Sequence, residues 1–179
     1  ILYSLILVLV FFVNCKTYSQ NIYNPSSIVV LATGLSNPTS VLTDSVFVYW
    51  LEYGSGTIKK ISNTGGTVTT LVSGLSSPKG IAMDNTDIYY TEDYSLNSGR
   101  VKKIPKNGGA VTTLINNLYS VDALTLDESF VYVCDFQGNS IQKVSKISGV
   151  AETLSTQTNS PSGIVADSGF IYWTEFTNP

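Results

Sequence analysis

The 179-residue sequence contains no histidine. That absence excludes a Ser-His-Asp triad, a Cys-His dyad, a histidine-bound zinc and an imidazole pH switch from this stretch. Cysteine is almost as scarce. Cys15 lies in an apolar leader and Cys134 inside an apolar run, so the two cannot supply the framework disulfides of a small secreted scaffold. No Lys, Arg or His flanks Cys134 to favour its thiolate, and it reads as an inert core thiol. Charge is thin as well, at 13% of residues against ~25% in soluble proteins generally. The balance of 10 basic to 13 acidic residues leaves a net charge of −3, with no basic excess to displace counterions from a phosphate backbone. Nucleic acid is therefore excluded as a partner class. No loop has the ligand spacing of a calcium site, and no metal or other cofactor is expected.

What is present begins with a leader. Ile1 to Val13 reads ILYSLILVLVFFV, and no charge appears before Lys16. Residues 1–19 read as a signal peptide or membrane anchor whose basic start is missing. Thr17 and Ser19 stand at −3 and −1 of a cut before Gln20. The alternatives are an uncleaved anchor, or a lipid on Cys15, although Asn14 is an unusual neighbour for one. Each reading places the remainder outside the cytoplasm, secreted or at the cell surface, and gives the membrane a role only through this segment. At the other end, Asn178-Pro179 breaks off within a repeat, so the sequence reads as a partial chain.

The repeat governs everything after Ile28. Asp44, Asp84, Asp127 and Asp167 follow one another at offsets of 40, 43 and 40 residues. The same offsets align Tyr49, Tyr89, Tyr132 and Tyr172, and the last two align Leu71, Leu114 and Leu154. The extra residues of the second unit fall between Glu92 and Arg100 and read as a loop insertion. Each full unit holds four short apolar runs rich in β-branched and aromatic residues, separated by turn chemistry. Asp-Ser, Asp-Asn and Asp-Glu steps join the first two runs. Thr64-Gly65-Gly66, Asn107-Gly108-Gly109 and Ser148-Gly149 join the last two, where tight hairpins need positive φ. No helical period appears after the leader.

Four antiparallel strands recurring every ~40 residues is the signature of a β-propeller blade. The predicted fold is all-β, with about 3.5 blades present: 36–72, 76–115, 119–155 and the start of a fourth at 160–179. Small residues (Ser40, Gly80, Ala123, Gly163) begin the innermost strands, where strands crowd around an axis. The second run is nearly continuous in apolar residues, as for a strand covered on both faces. Residues 20–35 form a lead-in and clasp. Ile28 to Leu35 matches Val68 to Leu75 in register, so 28–33 reads as an outermost strand arriving first, with partners expected in a final blade beyond residue 179.

The second runs read Tyr49-Trp50-Leu51-Glu52, Tyr89-Tyr90-Thr91-Glu92, Tyr132-Val133-Cys134-Asp135 and Tyr172-Trp173-Thr174-Glu175. This resembles the YWTD repeat of low-density-lipoprotein-receptor-type propellers. Pro78 to Asp84 and Pro161 to Asp167 fit that pattern and NHL-type repeats alike. The likeness covers residues 28–179, with Glu in place of the final Asp in three units and with Leu51 and Cys134 in place of Thr. The resemblance implies six blades and a binding or scaffolding role outside the cell. It fixes no ligand.

Glu52, Glu92, Asp135 and Glu175 recur at one position, each followed within two residues by an aromatic: Tyr53, Tyr94, Phe136 and Phe176. Together with Asp93, these are the candidate binding residues, a rim on one propeller face suited to a protein or glycan. The competing reading gives each acid a structural job, accepting backbone N–H groups from the neighbouring blade. Asp44, Asp84, Asp127 and Asp167 read as turn caps. Lys59-Lys60 and Lys102-Lys103 read as solvated residues near a blade edge. No catalytic constellation is visible, so the expected function is a binding module and not an enzyme. The alternative is a hydrolase or lactonase-type propeller whose site residues lie in missing blades.

Overall fold

The computed structural model describes residues 16–21, 24–93 and 97–176, and for residues 16–27 the backbone alone. Residues 1–15 of the leader, with Cys15, and Tyr94 in the insertion lie outside the described residues. The chain divides into two compact units, Ile1–Leu75 and Ser76–Pro179. All regular structure among the described residues is β-strand.

Unit one opens with a hairpin of β1 (Lys16–Asn21) and β2 (Asn24–Thr33). A four-stranded antiparallel sheet follows in chain order: β3 (Pro38–Thr43), β4 (Phe47–Glu52), β5 (Thr57–Ser62) and β6 (Thr69–Val72). Unit two holds two more such sheets. The first is β7 (Pro78–Met83), β8 (Asp87–Glu92), β9 (Gly99–Pro105) and β10 (Thr112–Leu118). The second is β11 (Val121–Leu126), β12 (Phe130–Asp135), β13 (Ser140–Ser145) and β14 (Ala151–Ser155). A two-stranded sheet of β15 (Pro161–Ala166) and β16 (Ile171–Glu175) ends the described chain. The expected four-strand units are present. Strand β10 runs past the expected end at 115 to Leu118 through two register shifts against β9.

Burial follows the strand's place in its sheet. In β4 every residue from Val48 to Glu52 is buried, because a central strand is covered on both faces. β8 repeats this pattern. The outer strands β6 and β14 are mostly exposed. In unit two the apolar faces of adjacent sheets form one core. Tyr89 and Val101 from one sheet pack with Val121, Val131, Val133 and Val144 from the next. Each such side chain contributes about 1.5–3 kcal/mol on burial. A second cluster joins Cys134 and Ile141 to Ile164 of β15. In unit one, Leu31 and Ala32 of β2 pack with Val48, Trp50 and Ile61.

The small residues at the strand-one starts have the crowding their size suggested. A Cβ on Gly80 would stand 3.0 Å from the Asp122 carbonyl oxygen of the next inner strand. Each inner strand also carries a β-bulge within its first residues, beginning at Pro38, Pro78, Val121 and Pro161. The bulge re-aims the residue it contains.

The clasp region differs from expectation. Residues 28–33 do form the end of a strand, but their described partner is β1, with Thr17 opposite Ala32, Tyr18 opposite Val30 and Ser19 opposite Val29. The sheet β5–β6 pairs Ile58 with Val72, Lys59 with Thr70 and Lys60 with Thr69. Both pairs step their register at the same place, after Thr17 and after Ile58. The hairpin β1–β2 therefore has the pairing of the outer two strands of a blade, and β1 includes residues 16–19 that the sequence assigned to the leader.

Candidate functional site

The recurring acid at the end of the second strand is mostly turned inward. Glu52 is fully buried in unit one. It accepts from Trp50 Nε1 at 2.9 Å, Ser55 Oγ at 2.6 Å and Lys59 Nζ at 3.0 Å. Burial alone would raise its pKa, but these donors hold the carboxyl below its ordinary value. Glu92 is likewise buried, ion-paired with Lys102, and accepts the Ser76 N–H at 3.1 Å. The third unit has Gln142 in place of that lysine, and here the acid is the shorter Asp135. Backbone donors replace the cation: Tyr119 N at 3.2 Å, Ser120 N at 3.0 Å and Gly138 N at 3.2 Å. Glu175 is exposed, and takes Trp173 Nε1 at 2.8 Å and Asn159 N at 3.2 Å.

The N–H groups of Ser76, Tyr119, Ser120 and Asn159 come from the loop that enters the same blade. The sequence reading placed these donors in the neighbouring blade, and the structure corrects that. A hairpin that returns antiparallel brings its own entrance loop beside the end of strand two, within reach of a short carboxylate. The lysines also differ from the solvated edge that was expected. Lys59 and Lys102 neutralise the buried acids. Lys103 pairs with Asp87 at 3.2 Å, while Lys60 and Lys143 stand over the rings of Phe47 and Phe130.

The residue after each acid is fixed by its backbone. Tyr53 N donates to Asn37 O at 3.0 Å, Asp93 N to Ser76 O at 3.1 Å, Phe136 N to Ser120 O at 2.6 Å and Phe176 N to Ser160 O at 3.3 Å. Tyr53 is exposed in unit one. In unit two, Phe136 and Phe176 meet edge to face with centroids 5.9 Å apart. Phe176 is 63% exposed, and Tyr119, in the loop that Asp135 holds, is 51% exposed. The aromatics thus reach solvent while the acids behind them order the loops.

A charged network lies beside this pair, in which the predicted residue Asp93 is joined by Lys79, Asp122 and Ser120, which the sequence reading missed. Lys79 Nζ contacts Asp122 Oδ1 at 2.7 Å and Asp93 Oδ2 at 3.5 Å, and Ser120 Oγ donates to Asp93 Oδ2 at 2.6 Å. Lys79 and Asp122 occupy the bulge of adjacent inner strands, at the register position that holds Thr39 in β3 and Ser162 in β15. Variation at that one fixed position was the available signal. Burial acts first on the Lys79 pKa, to lower it, but Asp122 and then Asp93 raise it overall. Among the described residues no three His, Cys, Asp or Glu side chains gather as metal ligands. Cys134 is a buried free thiol whose pKa is pushed up to about 12 by burial and by the Asp122 charge.

Consecutive four-stranded antiparallel sheets packed face to face in unit two, with β11 between β7 and β15, match solved structures of one architecture. One is the nidogen/laminin complex, at a TM-score of 0.76 and 17% identity, covering 90% of this chain and 64% of that one. The fold is a β-propeller. A second is streptogramin B lyase, at a TM-score of 0.70 and 21% identity, covering 92% of this chain and 63% of that one. The chain spans just under two thirds of either propeller's length. No protein-family model and no curated protein matches the sequence.

Proposed function

We propose that this chain is a secreted or cell-surface propeller module that binds a protein or glycan, and is not an enzyme. The observation that carries the reading is the contact of half-buried Phe136 with exposed Phe176, held on loops whose backbone is pinned from behind by Asp135 and Glu175. An aromatic surface ordered before binding loses little conformational entropy on contact, which is what a recognition face requires. The apolar leader supports export. The propeller of the nidogen/laminin complex supports a binding role by analogy of fold alone. The test is an array of extracellular proteins and oligosaccharides probed with the chain, with Phe136→Ala/Phe176→Ala, and with Thr113→Ala on an outer strand as control. The reading expects signals that the double variant loses and the control keeps. Signals equal in all three proteins would overturn it.

A second reading, a lyase or hydrolase, is favoured by the charged network of Lys79, Asp93 and Asp122 together with the streptogramin B lyase neighbour. It expects turnover that Lys79→Met abolishes.

A further inference from the structure

We infer that the aromatic face of residues 76–179 takes a protein segment carrying Arg or Lys side chains beside apolar ones. The inference rests on the binding reading above and names its partner class. The first ground is shape. Phe136 and Phe176 lie at 74° to one another with centroids 5.9 Å apart, Phe136 half-buried and Phe176 exposed. Sugar rings stack on flat platforms, whereas a crossed pair forms a corner that an aliphatic stem can enter. A guanidinium or ammonium at the end of that stem gains from the ring face as well.

The second ground is charge. Lys102 neutralises Glu92, which leaves Asp93, Asp122, Asp135 and Glu175 at this end of the blades against Lys79 and Arg100. Lys79 is already engaged by Asp122 and Asp93. Glu175 is exposed in the residue before Phe176. The surplus is negative and adjoins the aromatic corner, so it attracts a cationic partner and repels nucleic acid and anionic lipid. The third ground is rigidity. The N–H groups of Phe136 and Phe176 are bonded to Ser120 and Ser160. Asp135 and Glu175 hold the loops that carry those carbonyls.

The test is fluorescence anisotropy of the full chain with three labelled peptides: Gly-Arg-Leu-Arg-Gly and its analogues with Ser or Glu in place of Arg. The arginine peptide is expected to bind most tightly, and more weakly as salt rises. Phe176→Ala, whose side chain is exposed, and Phe136→Ala/Phe176→Ala are expected to lower its affinity by about tenfold. Glu175→Gln, which keeps a hydrogen-bond acceptor, is expected to lower it by roughly threefold. If the serine or glutamate peptide, or cellohexaose, binds better and still depends on Phe176, the partner class falls while the binding face stands. If no probe responds to Phe176→Ala, both fall.

Discussion

Tyr89 donates its phenolic O–H to Asp84 at 2.9 Å, across the turn from β7 to β8. The same bond recurs from Tyr49 to Asp44 at 3.0 Å, Tyr132 to Asp127 at 2.7 Å and Tyr172 to Asp167 at 3.1 Å. In each case the other carboxylate oxygen accepts the N–H groups two and three residues on, as from Thr86 and Asp87 to Asp84 at 2.9 Å. One carboxylate therefore closes the turn and anchors the central strand beside it. Asp84 does more, because Lys146 of the next blade reaches it at 3.0 Å and so ties two sheets together.

Two adjacent tyrosines should respond oppositely to loss of the hydroxyl. Tyr89→Phe removes a bond to a charged acceptor and is expected to cost about 1.5–3 kcal/mol. The hydroxyl of Tyr90 is buried with no partner among the described residues. Tyr90→Phe is expected to be neutral or stabilising by up to ~1 kcal/mol. Urea denaturation of both variants checks the contrast, and equal losses would show that the turn bond has no special weight.

The same latches fix the pH limits of stability. Burial alone would raise the Asp84 carboxyl, but the N–H groups of Asp87 and Thr86, then Lys146 and Tyr89, hold it well below the usual carboxylate range. Asp127 is lowered against burial by Tyr132 and its turn N–H groups. Unfolded Asp titrates near ~3.9, so below that pH the unfolded chain binds more protons and stability falls as pH drops toward the folded values. On the alkaline side, burial and then Asp127 push Tyr132 up to about 12, and burial and then Asp84 push Tyr89 higher still. Unfolded Tyr titrates near ~10, so this stabilisation is complete below that pH and is lost as pH rises through the folded values. With no histidine in the sequence, urea midpoints should be flat between about pH 5 and 9 and fall on both sides. Asp84→Asn is expected to flatten the acid limb.

The periodicity carried most of this architecture. The Asp and Tyr rows were legible as landmarks because every blade needs the same turn, and the small residues at 80 and 163 because inner strands crowd. The acid row was legible as a row, but its donors were assigned to the wrong blade. A carboxylate's reach depends on which loop the hairpin folds back beside it, and spacing alone does not encode that. Lys79 and Asp122 escaped notice because a repeat reading favours what recurs, and their register position holds a different residue in each blade. The pairing of β1 with β2 was hidden because Thr17 and Ser19 have the spacing of a cleavage site, and small polar residues serve a strand as readily as a cleavage site.

Glycines that look alike in the sequence should differ in cost. Gly56 has φ of +58°, and a Cβ there would meet the Leu75 carbonyl oxygen at 2.3 Å. Gly34 has φ of +71° with open space around it. Gly34→Ala should therefore cost only the left-handed backbone penalty, about 1–2 kcal/mol. Gly56→Ala adds a clash with backbone that cannot rotate away, and is expected to exceed Gly34→Ala by at least ~1 kcal/mol. Thermal unfolding of the two variants gives the difference.

The two tryptophans report on blade position. Trp50 in β4 and Trp173 in β16 occupy the same register, and each donates its indole N–H to the acid two residues on, Glu52 and Glu175. Trp50 is 1% exposed, because Leu31 and Ala32 of β2 cover it in one apolar cluster, whereas Trp173 belongs to no such cluster among the described residues and is 37% exposed. Acrylamide should therefore quench about half of the fluorescence readily and leave the rest protected, since a collisional quencher must reach the ring. Trp173→Phe is expected to leave a single protected component, and Trp50→Phe a single accessible one. Uniform quenching in the wild type would place both indoles in one environment, against the packing that separates the strands.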